Sequence, residues 1–504
     1  MRKFFKYGSD HLTPDLALQI ANGEINTILT EEVKFKVKKN YEAVQKIAKG
    51  EKLVYSINTG FGSLCTTIIS KEETGKLQEN LLKSHSVGLG DPIGHMLSKL
   101  MMILKIHALC KGFSGISLEV IERICWHVET NVIPLVPEQG SVGASGDLAP
   151  LSHLFLPLIG LGYLSKDGKN YIKTPEILHE YDLTPMKLQS KEGLALINGT
   201  QFIAAHAIVI FDKFRNCLDN ADIIGALSLE AYLGSPQPFD EKLIKLRPHQ
   251  GAIVVAENVR KFLKGSQFIE SHKDCGRVQD PYSIRCIPQV HGASRDAFYH
   301  FNEVLECELN SITDNPIIFN EESTISGGNF HGQPLALPLD YIGLAASEIG
   351  NISDRRTYLL LEGKWGLPAY LIKESGLNSG FMITQYCSAS IVSENKSMCF
   401  PASADSIPTS MGQEDHVSMG SISARKTLRI INNLEKILAI ELLCAAQAFD
   451  FRKPLKSSMI LEACHSYVRQ KIPHLIEDVV LSEYIEIALE IIKSRELFYI
   501  SNKD

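Results

Sequence analysis

The stretch INNLEKILAIELLCAAQAF, residues 431–449, indicates the fold class of this chain. Its apolar residues recur at steps of three and four, which places them on one face of an α-helix. These positions are Ile431, Leu434, Leu438, Leu442, Ala445 and Phe449. The same spacing recurs at Ile342, Ala345, Ile349 and Ile352. Long helices with such wide apolar faces predict a helical bundle shared between subunits.

Outside these helices the strand signals are few. Thr13 and Pro14 introduce a short helix over residues 15–21, which Gly23 closes. Asp167 and Gly168 lie in the middle of residues 163–172 and predict a hairpin turn. The sequence therefore predicts an all-α fold with minor β-hairpins.

Composition excludes several classes of function. The chain has 504 residues, 51 Lys and Arg against 58 Asp and Glu, and a formal charge of −7. This balance argues against a nucleic-acid or anionic-membrane partner, because those partners need clustered basic surface. Ordinary apolar content (44%) argues against disorder. The 11 cysteines include no C-x-x-C pair, and neither a signal peptide nor a membrane-spanning run is recognisable, so we expect a cytoplasmic protein.

The chain length predicts two or three domains. The most polar connector follows the predicted hairpin and runs through Thr184-Pro185 to Lys191-Glu192. We therefore expect an N-terminal helical domain over residues 1–192. Residues 193–504 would form the long-helix bundle, for oligomerisation, and a C-terminal helical domain.

A loop rich in small residues interrupts the helical pattern at GSVGASGDLAPLSH, residues 140–153. Asp147 is a suitable N-cap and Pro150 is tolerated in a first helical turn, so a helix is predicted to begin after the loop. The spacing matches neither G-x-G-x-x-G nor a P-loop. From residue types alone, a tight turn with a helix cap is the leading interpretation.

This loop resembles the signature of the aromatic amino-acid ammonia-lyases. The resemblance implies that Ala144, Ser145 and Gly146 cyclise into 4-methylidene-imidazole-5-one (MIO), an internal electrophile that needs no external cofactor. The residue types suit that chemistry. The Gly146 nitrogen must approach the Ala144 carbonyl without obstruction by a side chain, and Ser145 must lose its hydroxyl.

Three further motifs carry the resemblance. VYSINTGFG, residues 54–62, implies that Tyr55 removes the substrate β-proton, although it could instead cap a glycine-rich turn. SHSVGLG, residues 84–90, implies that His85 contacts the substrate ring, whereas a lone His is usually structural. GLALINGTQ, residues 193–201, implies that Asn198 reaches the prosthetic group and substrate, and an Asn-Gly turn is the alternative.

Two motifs in the second half continue the likeness. QDPYSIRCIPQ, residues 279–289, implies that Arg285 binds the substrate carboxylate, since its planar fork suits a carboxylate. Gln279 and Tyr282 match positions that hydrogen-bond near the prosthetic group, and Tyr282 could share the acid–base work. SGGNFHG, residues 326–332, implies that Phe330 walls the pocket. A surface ion pair for Arg285 and a core position for Phe330 are the alternatives.

The motif QEDHVSM, residues 413–419, bears on the substrate. Family members specific for histidine carry Glu at the position of Glu414, and a carboxylate can accept a hydrogen bond from imidazole. Gly412 departs from the Asn usual in close relatives, and the hydrogen bonding lost there would alter the floor of the pocket. No metal-ligand spacing is present, and we expect no metal.

The resemblance implies a multihelical fold of the aspartase/fumarase type with a long central bundle. It also implies a homotetramer with active sites shared between subunits. The expected reaction is the non-oxidative deamination of L-histidine to trans-urocanate and ammonia. Three alternatives stay open: a tyrosine or phenylalanine lyase, an MIO-dependent aminomutase, and a non-catalytic helical scaffold.

Overall fold

The computed structural model describes residues 4–50, 54, 57, 59–60, 69 and 73–503. Helices dominate this part of the chain, as predicted. They are α1 Pro14–Ala21, α2 Glu31–Lys49, α3 Thr74–His85, α4 His95–Leu109, α5 Leu118–Thr130, α6 Leu148–Phe155, α7 Thr174–Glu180, α8 Glu192–Ile197, α9 Gln201–Ala231, α10 Glu241–Lys245, α11 Gln250–Leu263, α12 Gln267–Ser271, α13 Tyr282–Arg285, α14 Ile287–Leu309, α15 Gln333–Leu361, α16 Met382–Met398, α17 Gly420–Asp450, α18 Met459–Lys471, α19 Leu481–Ser494 and α20 Glu496–Ser501.

The strands are short. They are β1 Phe4–Lys6, β2 Asn26–Ile28, β3 Leu89–Pro92, β4 Ile133–Pro134, β5 Pro137–Gln139, β6 Tyr163–Ser165, β7 Ile172–Lys173, β8 Ile317–Ile318 and β9 Thr324–Ile325. β1 pairs with β2 in parallel, whereas β3–β5, β4–β6–β7 and β8–β9 are antiparallel. β6 and β7 form the hairpin predicted around Asp167 and Gly168, with Leu164 opposite Ile172.

Local sequence explains where the predicted helices begin and which faces they bury. The Thr13 hydroxyl accepts a hydrogen bond from the Leu16 N–H at 3.2 Å, which caps α1, and Pro14 occupies its first turn. In α17, all six apolar positions that led to the prediction are buried. The α15 positions from Ile342 to Ile352 are buried as well. Helix periodicity therefore identified both apolar faces correctly.

The described chain divides into two compact units that interleave along the sequence. The first unit comprises residues 1–209, 302–340 and 401–425, and the second comprises residues 210–301, 341–400 and 426–504. The sequence boundary between residues 192 and 193 stays a prediction. Lys191 and Glu192, the end of the polar connector, are buried. Among the described residues, no helix combines the length and the apolarity that crossing a bilayer requires.

Candidate active site

The loop that follows β5 has a backbone that few side chains tolerate. Gly143 and Gly146 have φ values of 84° and 83°, and Ser145 between them has a φ of 49°. Glycine adopts this left-handed region at little cost, whereas for serine it is uncommon. The loop is therefore held in a bent conformation around the Ala144-Ser145-Gly146 triplet.

The triplet is docked against the break between α8 and α9. The Gly199 N–H donates to the Ser145 carbonyl at 3.1 Å, and the Asp147 N–H donates to the Gly199 carbonyl at 2.9 Å. A Cβ atom at Gly146 would lie 2.1 Å from the Gly199 carbonyl oxygen. Position 146 therefore requires glycine, because any side chain there would collide with the backbone of Gly199.

The segment that follows Glu414 holds the other side of the loop. The Met419 N–H donates to the Val142 carbonyl at 3.0 Å, and the Ser421 hydroxyl donates to the Ser141 carbonyl at 2.7 Å. Ala144 packs in a buried apolar cluster with Val417 and Met419. The loop is thus fixed on both flanks.

Asp147 occupies the N-cap position of α6, where the sequence placed it, but its side chain does not cap that helix. Its Oδ2 accepts hydrogen bonds from the N–H groups of Phe202 and Ile203 in the first turn of α9. The local capping prediction was wrong because the unpaired N–H groups of another helix bind the carboxylate. Burial raises the pKa of Asp147 to about 7, against the opposing effect of the two N–H donors.

A buried cluster of charges lies beneath the same break. The Lys105 ammonium donates to the carbonyls of Ala195 and Asn198 at 3.3 and 2.5 Å. Lys191 forms an ion pair with Asp314 at 2.8 Å, and both side chains are buried. Burial lowers the pKa of Lys105 to about 7, an effect that Asp314 opposes.

A pocket of about 230 Å³ opens beside the loop. Ala144, His85 and Glu414 line it together with Thr409. The pairing of β3 with β5 brings the segment after α3 alongside the residues that lead into the loop. Burial lowers the pKa of His85, while the Glu414 carboxylate acts to raise it. The two groups predicted to meet a substrate ring therefore share one pocket with Ala144 of the triplet.

The Glu414 carboxylate is oriented by Thr409. The Thr409 hydroxyl donates to Glu414 Oε2 at 2.9 Å. The two residues also exchange backbone hydrogen bonds of 3.0 and 3.4 Å across a tight turn. That turn contains Met411 and Gly412, both with positive φ, and a Cβ at Gly412 would meet nothing within 4 Å.

Asn198 and Phe330 also lie next to the triplet. The Asn198 amide nitrogen donates to Asp314 at 3.3 Å and to the Asn315 carbonyl at 2.7 Å. The Phe330 carbonyl oxygen lies 3.0 Å from the position of a Cβ on Gly146. The first unit therefore brings together His85, Ala144, Ser145, Gly146, Asn198, Phe330 and Glu414.

Three predicted site residues belong to the second unit. Gln279 is exposed, and Tyr282 is 71% exposed at the start of α13. The Arg285 guanidinium lies 4.5 Å from the centre of the Tyr282 ring. Its Nε is buried and has no hydrogen-bond partner within the described part of the chain. Arg285 is thus available to bind a carboxylate.

Tyr55 lies outside the described residues. In the described ranges the structure contains no cluster of His, Cys, Asp and Glu side chains suited to a metal ion. Sequence interpretation missed Thr409, Gly199 and Lys105. A signal existed for Lys105, because a lysine inside the apolar run LMMILKIHAL, residues 100–109, requires partners.

Comparison with known proteins shows the family of the chain. The family model described as aromatic amino acid lyase matches residues 12–470. A histidine ammonia-lyase from Natranaerobius thermophilus is 46% identical over 467 residues, covering 92% of each chain. The crystal structure of histidine ammonia-lyase from Trypanosoma cruzi has a TM-score of 0.91 and 39% identity, covering 99% of this chain and 95% of that one. The tyrosine aminomutase from Streptomyces globisporus has a TM-score of 0.93 and 33% identity, covering 99% and 98%.

The fold and the family model together define a carbon–nitrogen lyase. The chain belongs to the aromatic amino acid lyase family.

Proposed function

We propose that this enzyme is a histidine ammonia-lyase, which converts L-histidine to trans-urocanate and ammonia. The observation that carries the proposal is the pocket in which Glu414 and His85 stand beside Ala144. A carboxylate can accept a hydrogen bond from an imidazole N–H, whereas a phenyl ring offers no such donor. The relatives named histidine ammonia-lyase support the same substrate.

The Ala144-Ser145-Gly146 triplet would form the MIO group, and its surroundings fit that group. The positive φ values at Ser145 and Gly146 already bend the backbone, and the close approach of Gly199 leaves no room for a side chain at Gly146. When formed, the ring supplies an electrophile for the substrate amine, which would otherwise be a poor leaving group.

The remaining roles fall to side chains of this chain. Arg285 would bind the substrate α-carboxylate, since its guanidinium fork matches a carboxylate. Tyr55 would remove the β-proton, and Tyr282 would assist in proton transfer. Gln279 and Asn198 would hydrogen-bond near the reacting groups, and Phe330 would wall the pocket. Orienting the substrate against groups of this kind would supply much of the rate enhancement.

We place the protein in the cytoplasm as a homotetramer with shared active sites. The second unit supports an assembly, because α15 and α16 expose large apolar side chains at helical spacing. These are Tyr341, Leu344 and Tyr358 on α15, and Ile383 and Tyr386 on α16, each at least 50% exposed. Large exposed apolar patches are typical of protein–protein contacts. Mixing inactive Tyr55→Phe and Arg285→Ala chains should restore activity if sites are shared, and no recovery in mixed oligomers would refute sharing.

One assay tests the substrate. The purified enzyme is supplied separately with histidine, tyrosine and phenylalanine, and ammonia and the products are measured. We expect ammonia and urocanate from histidine, and a loss of at least about tenfold in kcat/KM for Glu414→Gln, since a charged hydrogen-bond acceptor is removed. Coumarate or cinnamate as the main product would overturn the histidine assignment.

An aminomutase is the second candidate, favoured by the likeness to the tyrosine aminomutase structure. It would return ammonia to the β-carbon, so a β-amino acid among the products would support it. Intact-protein mass spectrometry tests the non-catalytic alternative. A mass lower by two waters supports MIO formation, whereas the unmodified mass would refute the enzyme mechanism.

A further inference from the structure

A hydrogen-bond chain connects a buried lysine to the triplet. The Lys105 ammonium donates to the Asn198 carbonyl at 2.5 Å, and the N–H of that same peptide group, at Gly199, donates to the Ser145 carbonyl at 3.1 Å. Donation to one end of a peptide group polarises it and strengthens donation from the other end. The charge of Lys105 is therefore transmitted to the Ser145 carbonyl through one peptide group.

The same lysine fixes the geometry of the helix break. Asn198 is the C-cap of α8, and Ala195 lies inside that helix, where terminal carbonyls lack intrahelical partners. A cation at this end of a helix is favourable, as is the Asp147 carboxylate at the first turn of α9. Hydrogen bonds from Lys105 and to Asp147 thus hold the two sides of the break against which the triplet docks.

We propose that Lys105 is a positioning residue for formation of the MIO group. This inference rests on the proposed function, because it requires that the triplet cyclises. Lys105 acts through the Asn198–Gly199 peptide group, whose N–H donates to the Ser145 carbonyl.

The chemistry shows where that contact matters. The Gly146 nitrogen forms a bond to the Ala144 carbonyl carbon, and the carbonyl oxygen leaves as water with the protons of the Gly146 and Ser145 nitrogens. Ser145 then loses its Cα proton and its hydroxyl as a second water, which leaves the methylidene. Negative charge develops on the Ser145 carbonyl oxygen as the Cα proton departs. The Gly199 N–H, polarised by Lys105, stabilises this charge as an oxyanion-hole donor does.

The test compares two buried lysines of α4. Lys105→Met removes the charge and both hydrogen bonds. Lys99→Met is the matched control, since Lys99 is also buried on α4 but donates to Asn131 at 2.9 Å, away from the triplet. Each full-length protein is purified, its folding is checked by circular dichroism, and the fraction lacking two waters is measured by intact mass at fixed times after synthesis.

We expect Lys105→Met to form the ring at least about tenfold more slowly than Lys99→Met and wild type, as loss of a charged donor predicts. Lys105→Arg, which retains a charged donor, should recover most of the rate. A folded Lys105→Met protein that loses two waters at the wild-type rate would overturn the proposal.

Misfolding also gives a decisive result. If Lys105→Met and a second variant, Lys105→Gln, both fail to fold while Lys99→Met folds, Lys105 serves the whole fold and the specific claim is wrong. Failure of the proposed function would look different, because wild type itself would then keep the unmodified mass.

Discussion

The hydrogen bond from Thr409 to Glu414 offers a direct test of how the pocket selects its substrate. Thr409→Val removes the hydroxyl that donates to Glu414 Oε2 at 2.9 Å. The two backbone hydrogen bonds between these residues need no side chain, so the turn should persist. The carboxylate would then sample orientations in which neither oxygen faces the imidazole.

The magnitude follows from the kind of bond that is lost. A hydrogen bond to an ionised group contributes about 1.5–3 kcal/mol, and partial exposure of both residues favours the lower end. About 1.4 kcal/mol corresponds to a factor of ten. We therefore expect kcat/KM for histidine to fall about tenfold, mainly through a higher KM, because the contact exists before the reaction begins.

Steady-state kinetics with histidine measures this effect, and Thr409→Ser is the matched control that keeps the hydroxyl. Intact mass and thermal unfolding should be unchanged in both variants. A double-mutant cycle tests whether Thr409 acts through Glu414. If it does, adding Thr409→Val to the Glu414→Gln variant should lower kcat/KM little further. Equal KM values for Thr409→Val and wild type would refute the reasoning.

Three other changes probe the ring, the pH response and the second unit. Gly146→Ala should prevent ring formation, because its Cβ would lie 2.1 Å from the Gly199 carbonyl oxygen, and intact mass should show no loss of water. Burial lowers the pKa of His127 to about 4, below the ordinary value near 6.5, so stability should fall as pH drops through this interval, and His127→Gln should flatten that dependence of the melting temperature. Arg356→Met should destabilise the fold by about 3–5 kcal/mol in denaturant titrations, because Glu441 loses its bidentate partner in a fully buried ion pair.

Each of these predictions has a control or a contrary outcome. Gly328→Ala is the control and should leave ring formation unchanged, since a Cβ there would meet nothing within 4 Å. Loss of both waters by the Gly146→Ala protein would contradict the steric argument. An unchanged pH profile after His127→Gln would show that other groups dominate acid unfolding. Arg356→Lys keeps the charge and should be milder than Arg356→Met, so equal losses would argue against the ion-pair explanation.

Much of the fold was predictable because helix signals are local. The apolar steps from Ile431 to Phe449 describe one face of α17, and Thr13 with Pro14 marks the start of α1. Asp147 shows the limit of such rules. Its position as an N-cap was correct, but its carboxylate binds the first turn of α9, which lies more than fifty residues later in the chain.

The candidate site also contains residues that sequence motifs predict and residues that only the structure shows. The resemblance to the family predicted the Ala144-Ser145-Gly146 triplet and Glu414 as site residues without any structure, because each lies in a short sequence motif. The role of Thr409 could not be predicted in this way, since nothing in the neighbouring sequence indicates its hydrogen bond to Glu414. Lys105 was missed as well, although a lysine inside an apolar run was a signal that it needs partners.

The sequence by itself determined the helical class and the family to which the chain belongs, and it carries the motif from which the reactive triplet was predicted. These depend on residue type and short-range spacing, which the chain carries before it folds. The tertiary structure alone decided that Lys105 donates a hydrogen bond to the Asn198 carbonyl and that the Gly199 carbonyl packs closely against Gly146. Those contacts join segments distant in sequence, and they form only when buried polar groups must satisfy one another inside the packed core.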